Sequence, residues 1–219
     1  MTNQPLATDT PPVAPAVGQA NGFELNVPGQ ISESGLDLAL ERNRAFATAG
    51  GHEGALVFPS LRLFVITCLD PRVDPAHFLG LKLSDSMVVR NVGGRVTPEA
   101  INDIAFIGQI TENVLPDGPL FEVAVLHHTQ CGAGAFADDT FRHKYAERIG
   151  GDEATLRERA VLDPQQTVGD DVERLRAAPA ISPRVTVSGH VYDVVTGLVQ
   201  TVLPARTPGD QPFKPPQSP

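Results

Sequence analysis

Two short clusters hold most of the side chains in this sequence that could do chemistry. The first is Cys68-Leu69-Asp70-Pro71-Arg72, and the second is His128-Thr129-Gln130-Cys131-Gly132. Thiolate sulfur and imidazole nitrogen suit a tetrahedral zinc ion. His128 and Cys131, three positions apart in a turn after a strand, can reach one ion, and Cys68 from a neighbouring strand end supplies a third ligand. Three protein ligands leave a position for water, as catalytic sites do. The chain has only 2 cysteines, so no further sulfur can close the site. Each piece alone has a blander reading. A single cysteine is more often a small core hydrophobe, and a lone Asp-x-Arg is usually a surface ion pair of little worth. The metal reading rests on co-occurrence: both cysteines fall at strand ends, each among polar residues.

The elements that must position these residues alternate in type. Leu36 to Thr48 reads as a helix with Leu36, Ala39, Leu40, Phe46 and Ala47 on one face and Gly50-Gly51 as its stop. Leu61 to Thr67, Ser86 to Arg90 and Leu120 to Leu126 are short β-rich apolar runs of buried-strand length. Pro98 to Glu112 starts with Pro in a first helical turn and places Ile101, Ile104, Ala105 and Gly108 on one face. Helices are also expected over 134–149 and 167–177. Arg184 to Val195 reads as a strand, and Thr196-Gly197 turns the chain into Leu198 to Val202. The fold class is α/β: a mostly parallel central sheet flanked by helices, with a last antiparallel strand. In such sheets ligands bind beyond the carboxyl ends of the strands, where Cys68, Arg90-Asn91 and His128 fall.

The chain has 219 residues, of which 41% are hydrophobic, enough for one compact domain. Residues 1–34 are rich in Pro and Ala and read as a mobile arm. Residues 35–203 form the domain, and 204–219 form a Pro-rich disordered tail. A net charge of −9 and a pI of about 5.0 disfavour nucleic acid and anionic membrane as partners. No apolar run has membrane-spanning length, and the N-terminus has no basic start or apolar stretch of a secretory signal, so a cytoplasmic location is expected.

Taken together, C-x-D-x-R and, about sixty residues on, H-x-x-C-G resemble the beta-class carbonic anhydrase family. Arg90-Asn91-Val92-Gly93-Gly94 is similar to that family's R-N-x-G-G segment. Asn43-Arg44-Ala45-Phe46 resembles its early helix, and Gly189-His190-Val191-Tyr192-Asp193 with Thr196-Gly197 resembles its last strand and turn. The resemblance spans roughly residues 36 to 203. It implies one Zn²⁺ per chain on Cys68, His128 and Cys131, with Asp70 and Arg72 as the catalytic pair. It also implies that Gly93 and Gly94 bring backbone close to the substrate. The implied activity is hydration of carbon dioxide to bicarbonate, in a homodimer or a dimer of dimers.

On this reading Asp70 orients the attacking water, and Arg72 holds Asp70 off the metal in a bidentate pair that Lys could not form. Alternatives on the same fold are hydrolysis of carbonyl sulfide or carbon disulfide, or a non-catalytic zinc- or bicarbonate-binding protein. A cysteine phosphatase loop would need more residues between Cys and Arg. His127 is expected to point away from His128 and reads as a core or loop histidine. His77, on a short helix, reads as a surface residue. His52, His143 and His190 read as structural or surface residues, and Asp138-Asp139 as a solvated stretch. Leu38 points off the apolar face of the early helix, towards an interface or a contact within the chain. The chain has 0 Trp, which removes the Trp-dependent second bicarbonate site of some relatives.

Overall fold

In the computed structural model, which describes residues 34–207, five strands form one sheet in the order β2-β1-β3-β4-β5. They are β1 (Leu63–Cys68), β2 (Ser86–Asn91), β3 (Glu122–His128), β4 (Thr186–Tyr192) and β5 (Val199–Arg206). The first four run parallel and β5 is antiparallel to β4, as expected from the sequence. The helices are α1 (Gly35–Thr48), α2 (Pro75–Phe78), α3 (Pro98–Val114), α4 (Asp139–Ile149), α5 (Glu153–Glu158) and α6 (Pro164–Ala177).

The sheet is apolar because its middle strands are covered on both faces. Phe64 and Ile66 of β1, Val123 and Val125 of β3, and Val187 and Val191 of β4 alternate onto one face. There they meet Ala100 and Ile104 of α3 and Val168, Val172 and Leu175 of α6. Thr97 caps α3, its side chain accepting from Ala100 N, and Pro98 occupies the first turn. Thr67, buried in β1, donates from Oγ1 to Leu126 O at 2.9 Å, which ties the two strands together one residue before the first cluster begins.

The strand order creates the site. From β1 the chain moves outward to β2; from β3 it moves the opposite way to β4. The loops leaving β1 and β3 therefore diverge and open a crevice at this reversal, the usual ligand position in open α/β sheets. Cys68 ends β1 and His128 ends β3.

Several local expectations are corrected. The helix expected over 134–149 is split. A 3-10 segment, Gly132–Ala137, comes first, and Asp138 then caps α4, its side chain accepting from Phe141 N. The domain does not stop at residue 203: β5 runs on through Pro204 to Arg206, within the stretch expected to be disordered. Pro204 is tolerated because β5 is an edge strand, and its carbonyl accepts from Arg176 at 3.2 Å. Residues 1–33 of the expected arm lie outside the described residues. Helix α1 ends as expected at Gly50-Gly51. Gly50 N donates to Ala47 O and Gly51 N to Phe46 O, both at 3.0 Å, a Schellman closure that uses Gly50 at φ +70°. Yet α1 has no buried residue, and Leu36 and Phe46 are 66% and 45% exposed.

The shared helical core should dominate stability. Ile104→Ala, at a fully buried position of α3, is expected to lower the unfolding free energy by about 2–5 kcal/mol. Urea denaturation checks this.

Candidate metal centre

Cys68, His128 and Cys131 are all buried, and their ligand atoms lie within 4.8 Å of one another. His128 Nδ1 is 2.9 Å from the Thr129 carbonyl. A carbonyl only accepts, so Nδ1 carries the hydrogen and Nε2 presents its lone pair. That Nε2 is buried and has no hydrogen-bond partner among the described residues. An orphaned polar atom of this kind costs about 1–3 kcal/mol, which a bound cation would offset.

The two sulfurs are 3.9 Å apart, within hydrogen-bonding reach and not joined in a disulfide. Two thiolates placed tetrahedrally on one zinc at about 2.3 Å would be roughly 3.8 Å apart, so the spacing fits. The hydrogen bond from Cys131 pushes the Cys68 thiol down to about 4 against the opposing effect of burial. The same bond, together with burial, pushes Cys131 up. The pair gives up its first proton readily and its second with difficulty, unless a dication takes the second proton's place. The donor set of two sulfurs and one nitrogen suits zinc.

Asp70 and Arg72 are brought together as the sequence predicts. Arg72 Nε donates to Asp70 Oδ1 at 3.0 Å and Nη2 to Oδ2 at 2.7 Å, a bidentate pair. Arg72 N also donates to Oδ1, at 2.9 Å. Burial works to raise the Asp70 carboxyl, but these hydrogen bonds outweigh it and hold the group below the usual carboxylate range. Arg72 Nη2 also donates to Gln130 O at 3.0 Å, joining the β1 loop to the turn between His128 and Cys131. Gln130 holds φ at +54°, an unusual backbone for a non-glycine residue, which this turn requires. Arg90 braces the first loop from the other side, with Nε donating to Cys68 O at 3.0 Å and Nη2 to Asp70 O at 2.7 Å.

Gly93 and Gly94 are buried, with φ of +83° and +66°. A Cβ on Gly94 would lie 2.8 Å from Cys68 N, so only glycine lets this loop press on the Cys68 backbone. Apolar side chains, including Val73, Val92 and Ala133, pack around Cys68 and Cys131, and Phe78 of the same cluster stacks on Tyr192 at 4.3 Å.

His127 does point away from His128. It is fully buried, with Nδ1 2.8 Å from Thr167 Oγ1 and Nε2 3.2 Å from Gly94 O. His52 and His77 are exposed, and His143 pairs with Glu153 at the surface. His190 bonds Ser188 and Thr201 within the sheet. Sequence reasoning missed a buried ion pair behind the centre. Arg95 Nε donates to Asp171 Oδ2 at 2.7 Å and Nη2 to Oδ1 at 3.1 Å. A signal for it existed, since Asp171 falls on the apolar stripe of α6 with Val168, Val172 and Leu175. A carboxylate on such a stripe needs a buried partner.

A mostly parallel α/β sheet with two cysteines and a histidine converging at its topological reversal, in a cluster that could hold a metal ion, narrows the class of protein, and comparison with known proteins specifies it. The carbonic anhydrase family profile matches residues 63–199, more than half of the chain. Beta-carbonic anhydrase 1 of Mycobacterium tuberculosis strain H37Rv is 31% identical over 157 residues, covering 71% of this chain and 91% of its own. The carbonic anhydrase of Streptococcus mutans superposes with a TM-score of 0.63 at 32% identity, over 78% of this chain and 99% of its own. A carbon disulfide hydrolase of Acidianus sp. strain A1-3 is 29% identical over 158 residues, covering 62% of this chain and 74% of its own. The chain belongs to the beta-class carbonic anhydrase family and is an enzyme of that family.

The close approach at Gly94 gives a sharp expectation. Gly94→Ala should destabilise the fold by about 1–3 kcal/mol more than Gly80→Ala, because overpacking is added to the backbone strain that both share. Gly80 also has positive φ, but a Cβ there meets nothing within 4 Å. Denaturant unfolding of the two variants checks the difference.

Proposed function

We propose that the protein catalyses zinc-dependent, reversible hydration of carbon dioxide to bicarbonate and a proton, with one Zn²⁺ per chain held by Cys68, His128 and Cys131. The observation that carries this reading is the buried Nε2 of His128, without a hydrogen-bond partner among the described residues, converging with two free thiols. When bound, the zinc supplies Lewis acidity and a lowered pKa for water at its open position. Two thiolates cancel the formal charge of Zn²⁺, so this acidification is weaker than with three neutral imidazoles, and neighbouring residues must contribute more.

Asp70 makes that contribution. Oδ1 accepts two hydrogen bonds from Arg72 and Oδ2 accepts one, so Oδ2 keeps a lone pair with which the ionised carboxylate can accept a hydrogen bond from the reacting water and orient it. The bidentate grip of Arg72 also keeps the carboxylate from swinging onto the metal. The apolar surroundings of Val73, Val92 and Phe78 suit a small uncharged substrate. Gly94 lets the backbone close in beside Cys68 and Gly93 lets it close in beside Ala133 and Val161, which is their part in substrate binding on this reading. A cytoplasmic setting, where thiols stay reduced, goes with it.

The carbon disulfide hydrolase relatives support a second reading, hydrolysis of carbon disulfide or carbonyl sulfide at the same site. Stopped-flow carbon dioxide hydration and gas-chromatographic assay of the sulfur substrates separate the two. Hydration with negligible sulfur turnover supports the first, and the reverse outcome supports the second. Arg72→Ala is expected to reduce carbon dioxide hydration by about 100-fold or more, since the carboxylate loses its position. Its zinc content, measured by atomic emission, should stay at one per chain. Full activity in that variant would overturn the proposed Asp70–Arg72 pair.

We also propose a homodimer, or a dimer of dimers. The support is apolar surface that no described residue covers: Leu36, Leu38 and Leu40 on α1 are 66%, 46% and 45% exposed, and Phe106 and Val114 on α3 are 65% and 66% exposed. Sedimentation velocity is expected to give an oligomer for the wild-type chain and a shift towards monomer for Phe106→Glu.

A further inference from the structure

We propose that Asp171 is a positioning residue of the metal centre, holding from behind both strand ends that carry ligands. This rests on the metal reading above. Asp171 is fully buried on α6, away from the ligand atoms, and touches neither Cys68 nor His128 through any hydrogen bond of its own. Its carboxylate instead reaches two backbone segments. Oδ2 accepts from Arg95 Nε at 2.7 Å and from Val96 N at 3.1 Å, and Oδ1 accepts from Arg95 Nη2 at 3.1 Å. These bonds fix the chain immediately after Gly94, the residue packed on the Cys68 backbone.

On its other side Oδ2 lies 3.3 Å from His127 Nε2. That nitrogen faces two acceptors, the carboxylate and Gly94 O, so it carries the hydrogen. Thr167, also on α6, meets Nδ1 of the same ring. His127 is the residue before His128, and its ring is turned to the opposite face of β3. Pinning His127 therefore sets the end of β3 from which His128 projects. One carboxylate thus clamps the Gly94 loop behind Cys68 and the β3 end behind His128. Arg95 completes the clamp, donating from Nη1 to Glu158 O at 2.6 Å and to Ala160 O at 3.2 Å. Groups that orient ligands from outside the ligand set typically matter about 10–100-fold in metal affinity.

The test measures zinc affinity by chelator competition, and the cobalt(II) absorption spectrum, on full-length wild type, Asp171→Asn, Arg95→Gln and Leu175→Ala. Leu175 is buried on the same helix, one turn further on, and lies in the hydrophobic core rather than in the clamp. Asp171→Asn and Arg95→Gln are both expected to weaken zinc about 10–100-fold and to shift the cobalt bands. Leu175→Ala should leave both unchanged while lowering the melting temperature. The two clamp variants remove opposite charges, so a simple field effect would weaken one and tighten the other. Opposite shifts, wild-type affinity in both, or an equal loss in Leu175→Ala would each overturn the proposal. If Asp171→Asn does not fold, Arg95→Gln decides, since tightening or no change there sinks the idea. A wild type that takes up no metal would instead refute the metal reading itself.

Discussion

A buried imidazole nitrogen with no hydrogen-bond partner among the described residues is the constraint around which this structure is organised. His128 spends its Nδ1 hydrogen on the Thr129 carbonyl, which leaves Nε2 aimed at the space it shares with Cys68 and Cys131. An arrangement that leaves a polar atom unsatisfied and crowds two thiols together is unfavourable without a cation. With a dication the same features become complementary: two anionic sulfurs and a neutral nitrogen at tetrahedral spacing. The surrounding residues serve to keep these three atoms converged.

Convergence is a product of topology and of arginines. Parallel strands put the ends of β1 and β3 side by side, and the reversal of direction between them keeps their loops apart. Three guanidinium groups then fix the loops. Arg90 holds the carbonyls of Cys68 and Asp70, Arg72 joins Asp70 to Gln130, and Arg95 is locked on Asp171. Each offers several donors in a rigid plane, which suits bracing of several carbonyls and carboxylates at once. The glycines do the complementary work of removing side chains where backbones must touch.

Much of this was legible in the residues. Short apolar strands alternating with helices specified a mostly parallel sheet, because strands buried on both faces lose their polar alternation. The Cys68, His128 and Cys131 cluster and the Asp70–Arg72 pair were visible because they sit in local clusters, where spacing alone limits what they can reach. Contacts between distant segments were not visible. Asp171 lies 76 residues from Arg95 in sequence, and only the packing of α6 on the sheet joins them. The split of the 134–149 helix was missed because Asp138 was read as solvated surface rather than as the cap that restarts the helix. The end of β5 was missed because proline-rich composition outweighed the pairing that an edge strand still permits. The exposed face of α1 was equally hidden, since an apolar stripe has the same pattern whether it covers its own core or another chain.

Cys68, His128 and Cys131 are proposed to form one zinc site with an open position. X-ray absorption at the zinc edge of the purified full-length protein tests it most directly. The expected spectrum shows one zinc per chain, with two sulfur ligands at about 2.3 Å, one imidazole nitrogen, and a light atom in the fourth position. Absence of bound zinc, a disulfide between Cys68 and Cys131, or a shell with fewer than two sulfurs would contradict it.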